Sequence, residues 1–202
     1  MITIQKVTDK ELDDIVKIHE AAFPDFFLTT LGSKFLHLYY KCMAHSKDAL
    51  AMCAIQNGKV VGFSASSYVS HGFNKSLIKS HLFSFGLQTI RLLFSQPKSI
   101  LRLLKNLDKK ATGSSVEDDG SYAELYSIAV LPDCQGLGVG RQLLTQTEAD
   151  VAKHNDRISL TTDYYNNDKT IAFYHSLGYR DYYEFVTYPE RRMWRMMKDL
   201  NQ

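Results

Sequence analysis

The stretch that decides the fold is residues 124–141, which read ELYSIAVLPDCQGLGVGR. Its apolar first half predicts the end of a strand, the middle a loop, and the residues from Val139 onward a helix. The glycines at 136, 138 and 140 allow consecutive backbone N–H groups to point into one concavity. The first turn of the helix adds unpaired N–H groups and the positive end of its dipole. The stretch therefore predicts an anion site at the junction of a strand and a helix.

Two common phosphate-binding loops do not fit this stretch. A Walker loop requires GxxxxGK[ST], and the residues after Gly140 lack the Lys-Ser/Thr pair. A dinucleotide fingerprint requires GxGxxG, whereas the spacing here is GxGxG and only 62 residues follow Gly140. A glycine-rich turn without a ligand remains the structural alternative, although three glycines in five residues exceed what a turn needs.

Two motifs identify the chain as similar to one family. Gln135-x-x-Gly138-x-Gly140 resembles the Q/R-x-x-G-x-G/A pyrophosphate loop of the GCN5-related N-acetyltransferases (GNAT superfamily). The segment NDKTIAFYHSLGY, residues 167–179, resembles that family's N-x-x-A-x-x-F-Y-x-x-x-G-F segment, with Thr170 for Ala and Tyr179 for Phe as mild departures. The resemblance covers roughly residues 1–70 and 121–198, and it is strongest over 124–180.

The resemblance implies that acetyl-CoA binds between the fourth and fifth strands, which splay apart in this family. The pantetheine arm would pair with the backbone of the strand at Ile128, Ala129 and Val130. The pyrophosphate would lie on the loop formed by Gln135, Gly136, Leu137, Gly138, Val139, Gly140 and Arg141. Arg141 is explained equally well as a solvated side chain. Asn167, at the start of a later helix, would contact the CoA arm or only cap the helix.

The resemblance also implies two catalytic groups. Tyr174 matches the family tyrosine near the CoA sulfur, where a phenol donates a proton to the leaving thiolate; its alternative is a packed aromatic. Glu124 lies on the strand before the loop, and strand alternation puts it on the same face as Tyr126, Ile128 and Val130. There it would act as the base that deprotonates the acceptor amine, directly or through water, or only form a salt bridge. Asp163 is a weaker candidate for the base.

The rest of the chain predicts an α/β fold with the element order βααββ, insertion, βαβα, ββ. By resemblance the central sheet is mixed and mostly antiparallel, with a splayed fourth and fifth strand and helices on both faces. The predicted helices of the insertion are Leu77–Phe94 and Pro97–Leu107, ahead of the fourth strand. We expect one domain, 1–202, that carries a basic helical insertion at about 71–120.

The charge of the chain is unevenly distributed. The 202 residues have 45% hydrophobic and 23% charged residues and a net charge of +2, which excludes a disordered chain and disfavours a dedicated nucleic-acid binder. From Lys75 to Lys110 there are eight Lys/Arg and one acid, so this segment carries +7 and the remainder 2 − 7 = −5. The segment would form a lid over the acceptor site, a peripheral membrane contact through 77–110, or an interaction or homodimer surface.

Other features bear on the compartment and on cofactors. Three cysteines without CxxC spacing, and an N-terminus unlike a signal peptide, predict reduced thiols and a cytoplasmic location. The seven histidines have no metal-ligand spacing, so we expect no metal. From the resemblance we expect an acetyl-CoA-dependent N-acetyltransferase with a small-molecule amine or amino sugar as acceptor. The alternatives are a non-catalytic acyl-CoA-binding regulatory module and a membrane-surface protein acting through the basic insertion.

Overall fold

The computed structural model describes residues 1–86, 116–187 and 190–201. Its strands are β1 (Ile2–Lys6), β2 (Ala49–Gln56), β3 (Lys59–Ser67), β4 (Ala123–Val130), β5 (Arg157–Asp163), β6 (Arg180–Thr187) and β7 (Arg191–Asp199). The helices that lie wholly within the described residues are α1 (Leu12–Ala22), α2 (Ser33–His45), α3 (Phe73–Ser80), α4 (Val139–Val151) and α5 (Asp168–His175). Short 3-10 turns lie at Thr29–Leu31 and Pro132–Cys134.

The strands form one sheet in the order β1-β2-β3-β4-β5-β7-β6. All neighbours in it are antiparallel except β4 and β5, which are parallel. These two strands pair only from Ala123–Leu125 to Ile158–Leu160, and beyond Leu125 they diverge. The predicted mixed, mostly antiparallel sheet with a splayed fourth and fifth strand is therefore confirmed.

Helices cover both faces of the sheet and divide the core in two. Helices α1, α2 and α3 bury one face, with Ile15, Leu36 and Phe63 among the residues of that core. Helices α4 and α5 bury the other face, with Leu143 and Ile158 in the second core. The division follows from the sequence, because α1 and α4 each place apolar side chains at three-to-four spacing along one side.

A β-bulge in β4 corrects the predicted alternation of that strand. Ala65 of β3 pairs with Ser127, but the next residue, Ser66, pairs with Leu125, so Tyr126 is an extra residue in the ladder. As a result Tyr126 packs into the core of α1 and α2, whereas Ile128 and Val130 pack into the core of α4 and α5. The expectation that these side chains share a face is wrong, since one inserted residue reverses a period of two.

The first helix of the insertion before β4 begins earlier than predicted. Helix α3 starts at Phe73, behind Gly72 in the left-handed conformation with φ 69°, and it ends at Ser80. A turn at His81 separates it from further helical residues at 82–86. Residues 87–94 of the helix expected over Leu77–Phe94, and all of the helix expected over Pro97–Leu107, lie outside the described residues.

None of the helices within the described ranges is both long enough and apolar enough to cross a membrane.

Candidate active site

A cavity of about 960 Å³ opens where β4 and β5 diverge. Almost all the residues expected to bind the cofactor line it: Ile128, Ala129, Val130, Gln135, Gly136, Gly138, Val139, Gly140, Arg141, Asn167 and Tyr174. Leu137 does not, because its side chain is 58% exposed and lies outside the cavity wall. The opposite wall comes from the end of α1 and the start of β7, including Phe23, Phe26 and Met193.

The glycine-rich loop has the backbone that an anion site needs. Gly136 and Gly138 have φ of 76° and 78°, a region that favours glycine, and a Cβ at either would meet nothing within 4 Å. Gly138 is the N-cap of α4, and no side chain caps this end of the helix. The amides of the first turn are thus not occupied by a cap, and the helix dipole adds positive potential there. These observations fit the pyrophosphate of a CoA.

The two polar side chains of the loop, those of Gln135 and Arg141, form hydrogen bonds with other residues of the protein. The Gln135 amide donates to the Val130 carbonyl at 3.4 Å. The Arg141 guanidinium donates to the Ser176 hydroxyl at 3.1 Å and remains exposed. Arg141 therefore lines the cavity while its guanidinium is hydrogen-bonded to Ser176.

Asn167 lies at the start of α5, as expected, but its side chain does not cap the helix. Its Nδ2 donates instead to the Thr162 hydroxyl at 2.6 Å and to the Asp163 carbonyl at 3.0 Å. These bonds tie the start of α5 to the end of β5. The capping role was the wrong interpretation, and Asn167 shapes the cavity wall on the β5 side of the opening.

Tyr174 lies in the cavity wall and is only 7% exposed. Its ring packs on Phe173 and Tyr179, with centroid distances of 5.4 and 5.5 Å. Burial raises the pKa of Tyr174 to about 12. The phenol is therefore protonated at neutral pH, which is the form that a proton donor requires.

Glu124 is not among the residues that line the cavity, although the next two residues, Leu125 and Tyr126, are. Its carboxylate accepts a hydrogen bond from the Ser70 hydroxyl and forms an ion pair with Arg195 at 3.1 Å. The salt bridge foreseen as the alternative role is present. Glu124 directly precedes Leu125, the first residue of β4 that lines the cavity, and this end of β4 is the inner end of the cavity. Proton transfer from the cavity to the Glu124 carboxylate would therefore require an intervening group.

Asp163, the weaker candidate for the base, is held by an arginine that the sequence did not indicate. Arg191 binds both carboxylate oxygens, with the Nη2–Oδ2 distance at 2.6 Å. The same guanidinium lies 5.1 Å from the ring centre of Phe26. Because Asp163, Arg191 and Phe26 all line the cavity, this pair forms part of its mouth with its charges largely balanced. Spacing along the chain contains no signal for a pair 28 residues apart.

The sequence also did not predict a buried chain of hydrogen bonds through His19, Tyr40 and Ser127. His19 Nδ1 lies 2.6 Å from the Tyr40 hydroxyl, which in turn donates to Ser127 at 3.2 Å. His19 is fully buried among aromatic rings, and burial lowers its pKa to about 4, so the ring is neutral. The chain connects α1 and α2 to β4 immediately after the bulge, and Ser127 lines the cavity.

No group of three or more His, Cys, Asp or Glu side chains suited to a metal ion occurs in the part of the chain that the structure describes.

Comparison with known proteins places this geometry in context. The model of the acetyltransferase (GNAT) family matches residues 12–179. No curated protein matches the sequence.

Solved structures are similar in fold at low sequence identity. The ribosomal-protein-S18-alanine N-acetyltransferase of Escherichia coli is 19% identical, with a TM-score of 0.62 over 100% of this chain and 96% of its own. The yncA protein of Salmonella typhimurium, solved with acetyl-CoA, is 15% identical, with a TM-score of 0.61 over 100% of this chain and 95% of its own. PaiA N-acetyltransferase of Thermoplasma acidophilum, solved with coenzyme A, is 12% identical, with a TM-score of 0.60 over 98% and 99%.

Proposed function

Because this chain belongs to the acetyltransferase (GNAT) family, we propose that it transfers the acetyl group of acetyl-CoA to the amine of a small molecule or amino sugar, by direct attack in a ternary complex. The observation that carries the proposal is the cavity between β4 and β5. It brings together the glycine-rich loop, the edge of β4 and the buried phenol of Tyr174. The identities of the solved relatives lie below 25%, so they support the fold and leave the acceptor to the chemistry of the site.

Acetyl-CoA supplies an activated acetyl thioester when it is bound. In the proposal the amides of residues 136–141 bind its pyrophosphate, since the dipole of α4 and the absence of a side-chain cap favour an anion there. The backbone of Ile128 and Val130 binds the pantetheine arm, because β4 has no ladder partner on the β5 side beyond Leu125. Leu137 contributes its backbone alone, since its side chain is directed outward.

Glu124 is the proposed base. An amine acceptor arrives mostly as an ammonium ion and must lose one proton before its lone pair can attack a carbonyl carbon. The carboxylate of Glu124, just beyond Tyr126 at the inner end of the cavity, accepts that proton through an intervening water molecule. The neutral amine then forms the C–N bond as the C–S bond breaks.

Tyr174 is the proposed acid. Its phenol gives a proton to the departing CoA thiolate and regains one from the nitrogen of the new amide, so the overall reaction converts amine and thioester into amide and free thiol. The high pKa of Tyr174 keeps its hydroxyl protonated, and therefore able to donate, throughout the physiological pH range. A regulatory module that only binds acyl-CoA would not need an acid at this position.

We further propose that residues 1–202 form one domain with the basic insertion at about 71–120, and that the protein acts in the cytoplasm. The three cysteines, Cys42, Cys53 and Cys134, are free thiols, which supports a reducing compartment.

Two measurements test the function. Calorimetry with CoA should show one binding site, and a screen of amine and amino-sugar libraries should release free CoA from acetyl-CoA in the presence of an acceptor. An intact fold without CoA binding would refute the proposal. Binding without turnover across the whole library would favour the regulatory module.

A further inference from the structure

A nearly buried charge cluster adjoins the inner end of the cavity. It consists of Arg195 on β7, Glu124 on β4 and Asp118 in the loop before β4, and we call it the Arg195 cluster. The side chains of Arg195 and Glu124 are each 13% exposed, and that of Asp118 is 19% exposed. One guanidinium thus lies between two carboxylates in a place with little access to water, and the cluster has a formal charge of −1.

The guanidinium divides its contacts between the two acids. Its Nη1 donates to Glu124 at 3.1 Å and to the Ser159 hydroxyl at 3.1 Å. Its Nε donates to the Tyr183 hydroxyl at 3.1 Å and lies 3.4 Å from Asp118. Register explains the meeting, because Glu124 pairs with Ser159 and Arg195 pairs with Thr161 two residues further along the same strand, so these side chains share one face of the sheet.

Asp118 has further donors that favour its ionised form. The hydroxyls of Tyr122 and Tyr183 both donate to Oδ2, and the Gly120 amide donates to Oδ1 at 3.0 Å. Burial raises the pKa of Asp118, but these hydrogen bonds and the Arg195 charge outweigh it, so the net pKa lies below its usual value. Asp118 therefore remains an anion when its neighbour changes charge.

Glu124 has fewer donors than Asp118. Besides Arg195 it accepts a hydrogen bond from the Ser70 hydroxyl. Burial raises the pKa values of Tyr39 from α2 and Tyr126 from its own strand, and the nearby charge of Glu124 raises them further. The nearby His71 directs Nδ1 to the Asp119 carbonyl. Glu124 is thus the member of the Arg195 cluster that is better placed to take a proton.

A single arginine partner would make Glu124 a poor base. Protonation would leave a buried guanidinium without a counter-ion, which is strongly unfavourable. With Asp118 in contact with the same guanidinium, Arg195 keeps a partner after Glu124 is neutralised. The negative charge of Asp118 also favours protonation of the neighbouring acid.

We propose that Asp118 is a positioning residue for proton transfer, which holds Arg195 while Glu124 takes the proton of the acceptor amine. In this step an N–H bond of the ammonium breaks and an O–H bond forms on Glu124, while Arg195 and Asp118 keep their charges; the proton later passes to solvent. The inference rests on the proposed function, in which Glu124 is the base. It also links the end of the basic insertion to the chemistry, because Asp118 is one of its last residues.

The test compares Asp118→Asn with Asp119→Asn. Asp119 is the adjacent, exposed acid on the same loop, and it bonds the Ser121 amide at 2.9 Å with no contact to Arg195 in the described structure. The titration of the Glu124 carboxyl is followed by carbon NMR without substrate. In Asp118→Asn the midpoint should fall by about one pH unit, whereas Asp119→Asn should leave it unchanged.

A second readout uses turnover. In Asp118→Asn the acid limb of kcat/KM against pH should move down by the same amount, and the plateau should fall about tenfold. A lower rate with an unmoved Glu124 midpoint would indicate a merely structural role and overturn the inference. Normal turnover of Glu124→Gln would refute Glu124 as the base, a result that is distinct from the carboxyl titration.

The wild-type protein provides a readout that needs no variant to fold. Because one guanidinium contacts both acids, through Nη1 to Glu124 and with Nε 3.4 Å from Asp118, the N–H resonances of Arg195 should shift with the same midpoint as Glu124. A resonance that stays constant through the titration of Glu124 would overturn the proposal.

Discussion

At the scale of single residues, the proposed site depends on glycines that expose the backbone and on two ionisable side chains. Gly136 and Gly138 lack side chains, and their left-handed backbone allows the loop to present amides to an anion. In the proposed mechanism Tyr174 supplies a proton and Glu124 accepts one, and each side chain depends on its surroundings. Burial keeps Tyr174 protonated, whereas Glu124 shares the guanidinium of Arg195 with Asp118.

Gly138→Ala should weaken CoA binding about tenfold. Left-handed backbone costs a non-glycine residue about 1–2 kcal/mol, so the loop relaxes and its amides turn away from the pyrophosphate. Gly58→Ala is the matched control, because Gly58 has a similar φ of 75° and open space around it but lies in the β2–β3 turn. Both variants should lose similar stability in denaturant unfolding. Calorimetry should separate them, and equal CoA affinity would contradict the role of the loop.

Tyr174→Phe should lower kcat about 10- to 100-fold, since the thiolate would leave without a proton donor. The KM for acetyl-CoA should change little, because the ring and its packing on Tyr179 are kept. Tyr182→Phe, which removes a hydroxyl from a 41% exposed side chain, serves as the control. Steady-state kinetics with a thiol reagent measure both constants. An unchanged kcat would remove Tyr174 from the mechanism.

At the scale of elements, β4 carries more of the site than any other strand or helix. Its bulge at Tyr126 turns Ser127 toward α2, where the Tyr40 hydroxyl donates to it. Its far end enters the glycine-rich loop, and its near end holds Glu124 against β7. The hydrogen-bond chain through Tyr40 and His19 then fixes the position of α1 and α2 against this strand.

His19 should make the protein less stable in mild acid. Its pKa is about 4 in the folded protein and about 6.5 in the unfolded chain, so between these values the unfolded chain binds the extra proton. Stability is therefore complete above pH 6.5 and decreases as the pH falls toward 4, by up to about 3 kcal/mol. Denaturant unfolding at several pH values measures this.

His19→Asn should remove that part of the acid sensitivity, because asparagine does not titrate. His37→Gln is the control, since His37 lies on the surface beside Asp13. A His19→Asn protein with the same dependence on pH as the wild type would show that His19 does not contribute.

At the scale of the whole molecule, the cavity exists because the sheet has two halves, β1 to β4 and β5 to β7, that separate at the centre. The strands from β1 to β4 are covered by α1 and α2 on one face, and α4 with α5 covers the other face. The parallel pair in the centre, joined only over three residues, allows the halves to part. A ligand in this opening would contact both halves and hold them together.

CoA should therefore raise the melting temperature. At a concentration of 100 times its Kd, it stabilises the folded state by about 2.7 kcal/mol, which for a chain of this size is an increase of roughly 5–11 °C. Pantetheine, which lacks the phosphates, should give a much smaller increase at the same concentration. Thermal unfolding followed by circular dichroism provides the measurement. Equal shifts for the two ligands would show that the glycine-rich loop does not bind the pyrophosphate.

Sequence reasoning was most successful where the chemistry is local. The loop of residues 135–141 and the start of α4 follow from neighbouring glycines, and all of these residues except Leu137 lie in the cavity wall, where the predicted cofactor site requires them. It failed where one residue changes a period, as at Tyr126, or where a side chain has a choice of partners, as at Asn167. The spacing of residues along the chain encodes neither the bulge at Tyr126 nor the partners of Asn167, because both depend on which strand lies beside the residue.

The sequence by itself determined the family, the order of strands and helices, and the glycine-rich loop, because these depend on hydrophobic period and on residues near one another in the chain. Only the tertiary structure decided the partners of the catalytic candidates. Arg195 reaches Glu124 from 71 residues away, and Asp118 joins them from the end of the insertion. These contacts arise from strand register across β4, β5 and β7, a property of the assembled sheet, since a shift of one residue would turn Arg195 to the opposite face.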